Sequence, residues 1–180
     1  MALKAIIYKA TLKIADMDRH YYRDHTLTIA RHPSETDERM MVRLLAFVCQ
    51  AHETLEFGKG ISNDEEPDLW RKNLVGEIEQ WIEIGQPDDR RLLKASSRAE
   101  QVMVYSFTHV SEVWWRQIEN KISRAKNISV WRVAPETSQA LVKLAARTML
   151  LQCTIQEGHI WISNEHDTVQ VEMTLLRAAK

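Results

Sequence analysis

The chain has 180 residues, enough for one domain with a sizeable core, and its hydrophobic fraction of 44% is typical of a soluble globular protein. Its 24 basic and 25 acidic residues give a formal net charge of -1, which argues against a protein that coats nucleic acid non-specifically, although a local basic patch is not excluded. Two cysteines, no signal-like N-terminus and no membrane-length apolar run predict a cytoplasmic protein without membrane attachment.

The first elements are predicted to be two strands that form an antiparallel ribbon over about residues 1–32. Apolar and polar residues alternate from Tyr8 to Ile14, which is typical of a strand with one buried face. Turn-forming residues follow at 16–19, and a second extended run from Tyr21 to Ala30 should fold back on the first.

A helix is predicted from about residue 35 to about residue 52, because apolar side chains recur at helical spacing between Met41 and Val48. Ser34 is a candidate N-cap for this helix. Glu38 falls at the edge of the buried stripe, where a carboxylate requires a partner.

The middle of the chain alternates between strands and helices, which predicts parallel strands covered by helices in an α/β core over about residues 33–148. The expected elements are strand 77–84, helix 88–98, strand 102–107, helix 111–124, strand 128–133 and helix 136–147. Antiparallel strands are expected over about residues 149–176, at 149–155, 159–163 and 168–175. No linker is long enough to divide the chain, so residues 1–180 are predicted to form a single domain.

Carboxylates and one lysine gather in the stretch between residues 66 and 97. Glu77, Glu79 and Glu83 share one face of the strand predicted at 77–84, Asp68 precedes it, and Lys94 lies on the next helix. Carboxylate oxygens presented together are ligands for a hard divalent cation, and a nearby ammonium can stabilise charge on a phosphate. The alternative is an edge strand whose acidic face is solvated and discourages aggregation.

Four strings of the sequence resemble the bacterial YaeQ family, and the similarity extends over the whole chain. They are MALKAIIYKATLKIADMDR, ARHPSETDERMMVRLLAF, EPDLW and WIEIGQPD. The resemblance implies an α/β fold with a mixed central sheet flanked by helices, a variant of the PD-(D/E)xK restriction-endonuclease-like fold.

The resemblance also implies a set of site residues. Asp68 matches the aspartate of the nuclease motif and Glu83 its second acid, so these two would bind Mg²⁺ or Mn²⁺. Gly85 stands where the motif has lysine, and Lys94 is similar to the migrated lysine of some members of the superfamily. Glu38 matches the acid of the first helix, and all four residues would be catalytic.

The implied function is metal-dependent phosphodiester hydrolysis, weak or restricted in substrate, with DNA or RNA as the partner. A non-catalytic nucleic-acid- or transcription-associated regulator on the same scaffold is an alternative, and a metal- or protein-binding adaptor is another. The basic side chains that flank the predicted site are Arg39, Arg43, Arg90, Arg91 and Arg98.

Overall fold

The computed structural model describes residues 3–180, apart from the side chain of Ser62. In chain order the elements are β1 (Ile6–Asp16), β2 (Tyr21–Arg31), α1 (Asp37–Gln50), β3 (Leu55–Phe57), a 3₁₀ turn (Gly60–Ser62), β4 (Leu69–Lys72), β5 (Ile78–Ile84), α2 (Asp89–Arg98), β6 (Ala99–Ser106), α3 (Ser111–Ile118), β7 (Ile128–Val133), α4 (Pro135–Val142), β8 (Thr148–Gln156), β9 (His159–Ser163), β10 (Thr168–Val171) and β11 (Met173–Arg177).

The chain divides into two compact units, each with a mixed sheet of its own. The first unit comprises the chain up to Val48 and Glu136–Glu172, and the second comprises Cys49–Pro135 and Met173–Lys180. The predicted mixed α/β class with flanking helices is confirmed, but the strands form two sheets instead of one central sheet. Whether the units act as one domain stays a prediction.

The sheet of the first unit has the strand order β10-β9-β8-β1-β2. The predicted antiparallel ribbon of β1 and β2 is confirmed, with Leu12 opposite His25. On its other side β1 pairs in parallel with β8, so β1 lies inside the sheet, and alternate residues such as Ala10 and Leu12 are fully buried. This alternation is what places one face of β1 in the core.

Helix α1 begins at Asp37, two residues later than predicted, because its N-cap is Thr36 and not Ser34. The hydroxyl of Thr36 accepts a hydrogen bond of 3.1 Å from the backbone N–H of Arg39. Such a bond satisfies an N–H group that has no partner inside the helix. The Ser34 hydroxyl instead hydrogen-bonds the ring of His32.

The sheet of the second unit has the order β11-β7-β6-β5-β4-β3, in which β5, β6 and β7 run parallel. The predicted alternation of strands and helices is therefore confirmed, although α3 and α4 end earlier than expected. Helix α2 packs on this sheet through Leu92 and Ala95, which share a core with Trp81, Val102 and Val104.

The antiparallel strand structure predicted at 168–175 is confirmed, but the segment contains two strands instead of one continuous strand. Val169 of β10 pairs with β9, whereas Met173 of β11 pairs with Val133 of β7. Between them the backbone N–H of Glu172 leaves the ladder and donates to the hydroxyl of Thr137. No helix among the described residues is long and apolar enough to cross a membrane.

We expect Leu92→Ala to lower the free energy of unfolding by about 2–5 kcal/mol, because it removes a fully buried side chain and leaves a cavity under α2. Urea unfolding measures the change. Leu74→Ala is the matched control, since Leu74 lies in the turn before β5 and is fully exposed. Equal stability of the two variants would contradict the packing of α2 described here.

Candidate functional site

Asp68 is held at the start of β4 and is 1% exposed. Its backbone N–H donates to the carbonyl of Ile82, and its carboxylate Oδ2 accepts a hydrogen bond of 2.9 Å from the backbone N–H of Ile84. Pro67 comes immediately before it and favours the extended conformation that leads into the strand. The carboxylate is therefore fixed beside β5.

A glycine makes room for the other carboxylate oxygen of Asp68. Gly60 has a φ of +51°, and a Cβ atom at this position would lie 2.6 Å from Oδ1. That separation is shorter than any ordinary contact, so a side chain at residue 60 would displace either the 3₁₀ turn or the carboxylate. The tight turn at Gly60 thus belongs to the site.

Glu83 lies on β5, the strand that pairs with β4. The ladder between the two strands begins with Leu69 opposite Ile82, and just before it the backbone N–H of Asp68 also donates to the carbonyl of Ile82. Asp68 therefore lies outside the regular register, but its negative charge acts on the Glu83 carboxyl. The two carboxylates thus lie close together near the ends of neighbouring strands.

Two donors hold the Glu83 carboxylate, which is 3% exposed. The indole Nε1–H of Trp81 and the Nε–H of Arg91 each donate to Oε1 over 2.7 Å. Burial and the negative charge of Asp68 raise the pKa of Glu83 to about 7, although Arg91 and the two hydrogen bonds oppose this shift. Glu83 thus titrates near neutral pH.

Arg91 is a cation of the site, whereas from the sequence it was predicted only as one of the flanking basic residues. Besides Glu83, its guanidinium donates to the carbonyl oxygens of Asp64 and Glu66. The sequence signal that could have identified Arg91 is its position, eight residues after Glu83 and in the first turn of a predicted helix. Helical spacing alone did not distinguish it from Lys94.

Lys94, the predicted catalytic lysine, has another partner. Its ammonium lies 2.6 Å from Oε1 of Glu65, and both side chains are more than half exposed. The expectation that Lys94 takes the lysine position beside Glu83 is therefore corrected, since Arg91 occupies that place. Whether Lys94 contributes to catalysis stays a prediction.

Gly85 has a φ of +104°, which explains why no lysine stands at this position. A residue with a side chain is strained in this region of backbone space. The strand ends here, where the N–H of Gly85 donates to the carbonyl of Tyr105.

Glu38 lies on α1 in the first unit, where its Oε1 accepts a hydrogen bond of 2.6 Å from the Ser138 hydroxyl. This interaction supplies the partner that its place on the helix required. Asp68, Glu83 and Lys94 all belong to the second unit. The predicted contribution of Glu38 to their site stays a prediction.

The alternative of a solvated acidic edge strand is wrong. β5 lies between β4 and β6, with Glu83 at its buried end. Glu77 precedes the strand, and Glu79 forms an ion pair of 2.8 Å with Arg71. The three glutamates therefore do not converge on one cation, and the described residues contain no group of three or more acidic, histidine or cysteine side chains placed to hold a metal.

Arg43 is not available to contact phosphate. It is buried, and its guanidinium donates through Nε and Nη2 to the two carboxylate oxygens of Glu35. A buried pair of this kind acts within its own unit, where the two charges compensate each other.

Comparison with known proteins extends the likeness to the whole chain. The family model described as YaeQ protein matches residues 1–173. The chain belongs to the YaeQ family. YaeQ of Escherichia coli (strain K12) is 45% identical over 175 residues, or 97% of each chain, and YaeQ of Salmonella typhi is 44% identical over the same coverage.

Two solved YaeQ structures share the fold. The crystal structure of YaeQ from Xanthomonas axonopodis pv. citri has a TM-score of 0.93 and 42% identity, over 97% of this chain and 99% of that one. The crystal structure of YaeQ from Pseudomonas syringae has a TM-score of 0.93 and 36% identity, over 97% of each chain.

We expect Glu83→Gln to remove a pH dependence of stability. Between the usual carboxyl value of 4.5 and about 7, folded Glu83 binds a proton that unfolded Glu83 releases, so the free energy of unfolding falls as pH rises through this window. The loss amounts to roughly 3 kcal/mol at most and is complete above the folded pKa. Urea unfolding in EDTA between pH 4.5 and 8 measures it.

The control is Glu79→Gln, which changes a glutamate of the same strand that is half-exposed and paired with Arg71. Its stability profile should run parallel to that of the wild type. If the Glu83→Gln profile also runs parallel to the wild type, the raised pKa is wrong.

We expect Gly60→Ala to destabilise the protein by about 1–3 kcal/mol more than Gly76→Ala. Both glycines have positive φ, so both substitutions strain the backbone, but a Cβ at Gly76 would meet no atom within 4 Å. The difference reports the displacement of the buried Asp68 carboxylate from its hydrogen bond. Thermal and urea unfolding compare the two, and equal losses would contradict the contact.

Proposed function

We propose that this chain is a metal-dependent nuclease, which hydrolyses phosphodiester bonds of DNA or RNA with Mg²⁺ or Mn²⁺ and with weak or restricted activity. The observation that carries the proposal is the pair of neighbouring buried carboxylates, Asp68 at the start of β4 and Glu83 on β5. The nuclease motif that the sequence resembles puts its two acids in corresponding places, which supports a variant PD-(D/E)xK fold.

The donor set fits a cation that keeps part of its hydration. Mg²⁺ in proteins is commonly bound by one or two carboxylates and several waters. Asp68 and Glu83 would hold it, and burial together with the negative charge of Asp68 raises the pKa of Glu83, a strain that a bound cation would relieve. When bound, the cation would polarise a phosphoryl oxygen and lower the pKa of its water.

Arg91 is the residue best placed to compensate charge. Its hydrogen bonds to Glu83 and to two loop carbonyls fix the guanidinium plane, and an arginine stays protonated in proteins. Three of its five N–H groups are used by these bonds, which leaves donors for a phosphate oxygen. Arg91 orients Glu83 and stabilises negative charge, but it does not serve as a base.

The Glu83 carboxylate of the site can also accept a proton near neutral pH. With a pKa of about 7, Glu83 is largely protonated at pH 6 and largely ionised at pH 8. Activity is therefore expected to rise across this range, because the ionised carboxylate is the form that holds a cation. We place the reaction in the cytoplasm, where cysteine thiols such as those of Cys49 and Cys153 remain reduced.

One observation favours the alternative of a non-catalytic nucleic-acid- or transcription-associated regulator. The Glu83 carboxylate already has a charged partner in Arg91, so its negative charge is compensated without a metal. In a regulator the carboxylate pair would serve to fix α2 and the loop that Arg91 contacts. The two functions predict different effects of removing the Asp68 carboxylate. A nuclease would lose metal binding and cleavage, whereas a regulator would keep its nucleic-acid binding.

We expect purified wild type to cleave at least one of single- or double-stranded DNA or RNA in low salt with Mg²⁺ or Mn²⁺. Asp68→Asn should weaken metal binding by calorimetry and lower the cleavage rate at least about tenfold, a loss that even indirect partners of a metal produce. Glu79→Gln is the matched control and should keep both properties, because Glu79 pairs with Arg71 away from Asp68.

Arg91→Lys should retain the charge but lose the bonds to the two carbonyls, and so keep metal binding while lowering the rate. Absence of both metal binding and cleavage in the wild type would overturn the nuclease proposal. The chain would then be a binding protein, in which Asp68→Asn leaves nucleic-acid binding intact.

A further inference from the structure

Three basic side chains follow one face of α2, starting at the carboxylate pair. Arg91, Lys94 and Arg98 stand at positions i, i+3 and i+7, which share a face of a helix and extend over about 10 Å of its axis. We call these residues the α2 stripe. At one end Arg91 contacts Glu83, and at the other the guanidinium of Arg98 lies over the ring of Trp81.

An acidic loop, residues 63–66, supplies the anionic partners of the stripe. Glu65 pairs with Lys94 over 2.6 Å and with Arg98 over 3.4 Å. The Asp64 carboxylate lies 3.8 Å from Arg91, which also donates to backbone carbonyls of the loop. Two acids of the loop, Asp64 and Glu65, thus pair with three cations of the helix.

We propose that the α2 stripe binds the phosphate backbone of nucleic acid, and that the acidic loop occupies this site until the polyanion displaces it. The proposal rests on the nuclease function proposed above, for which it names the surface that holds the substrate. It also explains how a chain with a formal net charge of -1 can hold a polyanion: moving one short loop uncovers Lys94 and Arg98 and leaves Arg91 paired only with Glu83.

The contacts between loop and stripe are of the kind that a polyanion can replace. The side chains of Lys94 and Glu65 are 53% and 65% exposed, and exposed ion pairs are weak and sensitive to salt. The hydrogen bond from Lys94 lowers the pKa of the Glu65 carboxyl, which favours the charged carboxylate. A phosphate oxygen accepts from lysine and arginine in the same way as the carboxylate does.

The loop is also connected to the carboxylate pair. Its first residue, Asn63, hydrogen-bonds the carbonyl of Gly60 through its backbone N–H, and Gly60 lies against Oδ1 of Asp68. Displacement of the loop would therefore change the surroundings of Asp68 at the moment when phosphates reach α2. The stripe and the acids would form one continuous substrate surface.

The test measures binding without cleavage, by fluorescence anisotropy of a labelled 20-nucleotide single strand and a 20-base-pair duplex in EDTA. The variant Asp64→Asn/Glu65→Gln removes two loop charges and should bind at least about tenfold more tightly than wild type. Its matched control, Glu165→Gln/Glu172→Gln, makes the same change of net charge at exposed residues of the first unit and should bind less than about threefold more tightly.

A second variant removes the cations. Lys94→Ala/Arg98→Ala should weaken binding and reduce the slope of log affinity against log salt by about 1.4 for the single strand, or about 0.7 for each lost contact. Lys121→Ala/Lys143→Ala is the control with equal charge change at exposed positions. None of these residues contacts the Asp68 or Glu83 carboxylate, so circular dichroism should show each variant folded.

The proposal would be overturned if the loop variant bound no more tightly than its control, Glu165→Gln/Glu172→Gln. It would also be overturned if Lys94→Ala/Arg98→Ala and Lys121→Ala/Lys143→Ala weakened binding by the same factor. Tighter binding by the loop variant, without cleavage when Mg²⁺ is added, would count against the nuclease function alone. If the wild type cleaves nucleic acid but neither the loop variant nor Lys94→Ala/Arg98→Ala changes the binding affinity, the result would count against this surface alone.

Discussion

The second unit depends on how it accommodates two neighbouring buried carboxylates, Asp68 and Glu83. Like charges that lie close together repel, and burial removes the water that would screen them. Arg91 and the indole of Trp81 compensate this repulsion by donating to Glu83, while the backbone of β5 donates to Asp68. Without these donors, two buried charges would remain uncompensated, which is one of the larger destabilising changes known in proteins.

This requirement determines where α2 begins. Arg91 reaches Glu83 only if it lies in the first turn, and Asp88 fixes that turn by accepting a hydrogen bond from the backbone N–H of Arg91. The next residue, Leu92, then points into the core under the helix. The N-cap at Asp88, the ion pair of Arg91 and the apolar contact of Leu92 therefore fix the position of α2 together. Arg91 also binds two backbone carbonyls of the acidic loop, and these bonds hold the loop beside α2.

Periodicity predicted most strands and helices because each signal is local. The alternation in β1, the apolar run of β6 and the helical stripe of α1 need no knowledge of the rest of the chain. The break at Glu172 and the pairing of β1 with β8 depend on partners distant in sequence, so local patterns missed them. The same limit applied to the candidate site: Asp68 and Glu83 were identified, but Arg91 and Lys94 are only one turn apart, and packing decides which of them reaches the strand.

The parallel pairing of β1 with β8 has a consequence for biosynthesis. β1 leaves the ribosome early, but the strand that completes its ladder is encoded near the opposite end of the chain. Until β8 arrives, the β1–β2 ribbon has an open edge and an apolar face, a state that pairs readily with other chains. Closing so long a loop also slows folding. A nascent chain should thus need protection until β8 has been synthesised, and a fragment that ends before β8 should aggregate.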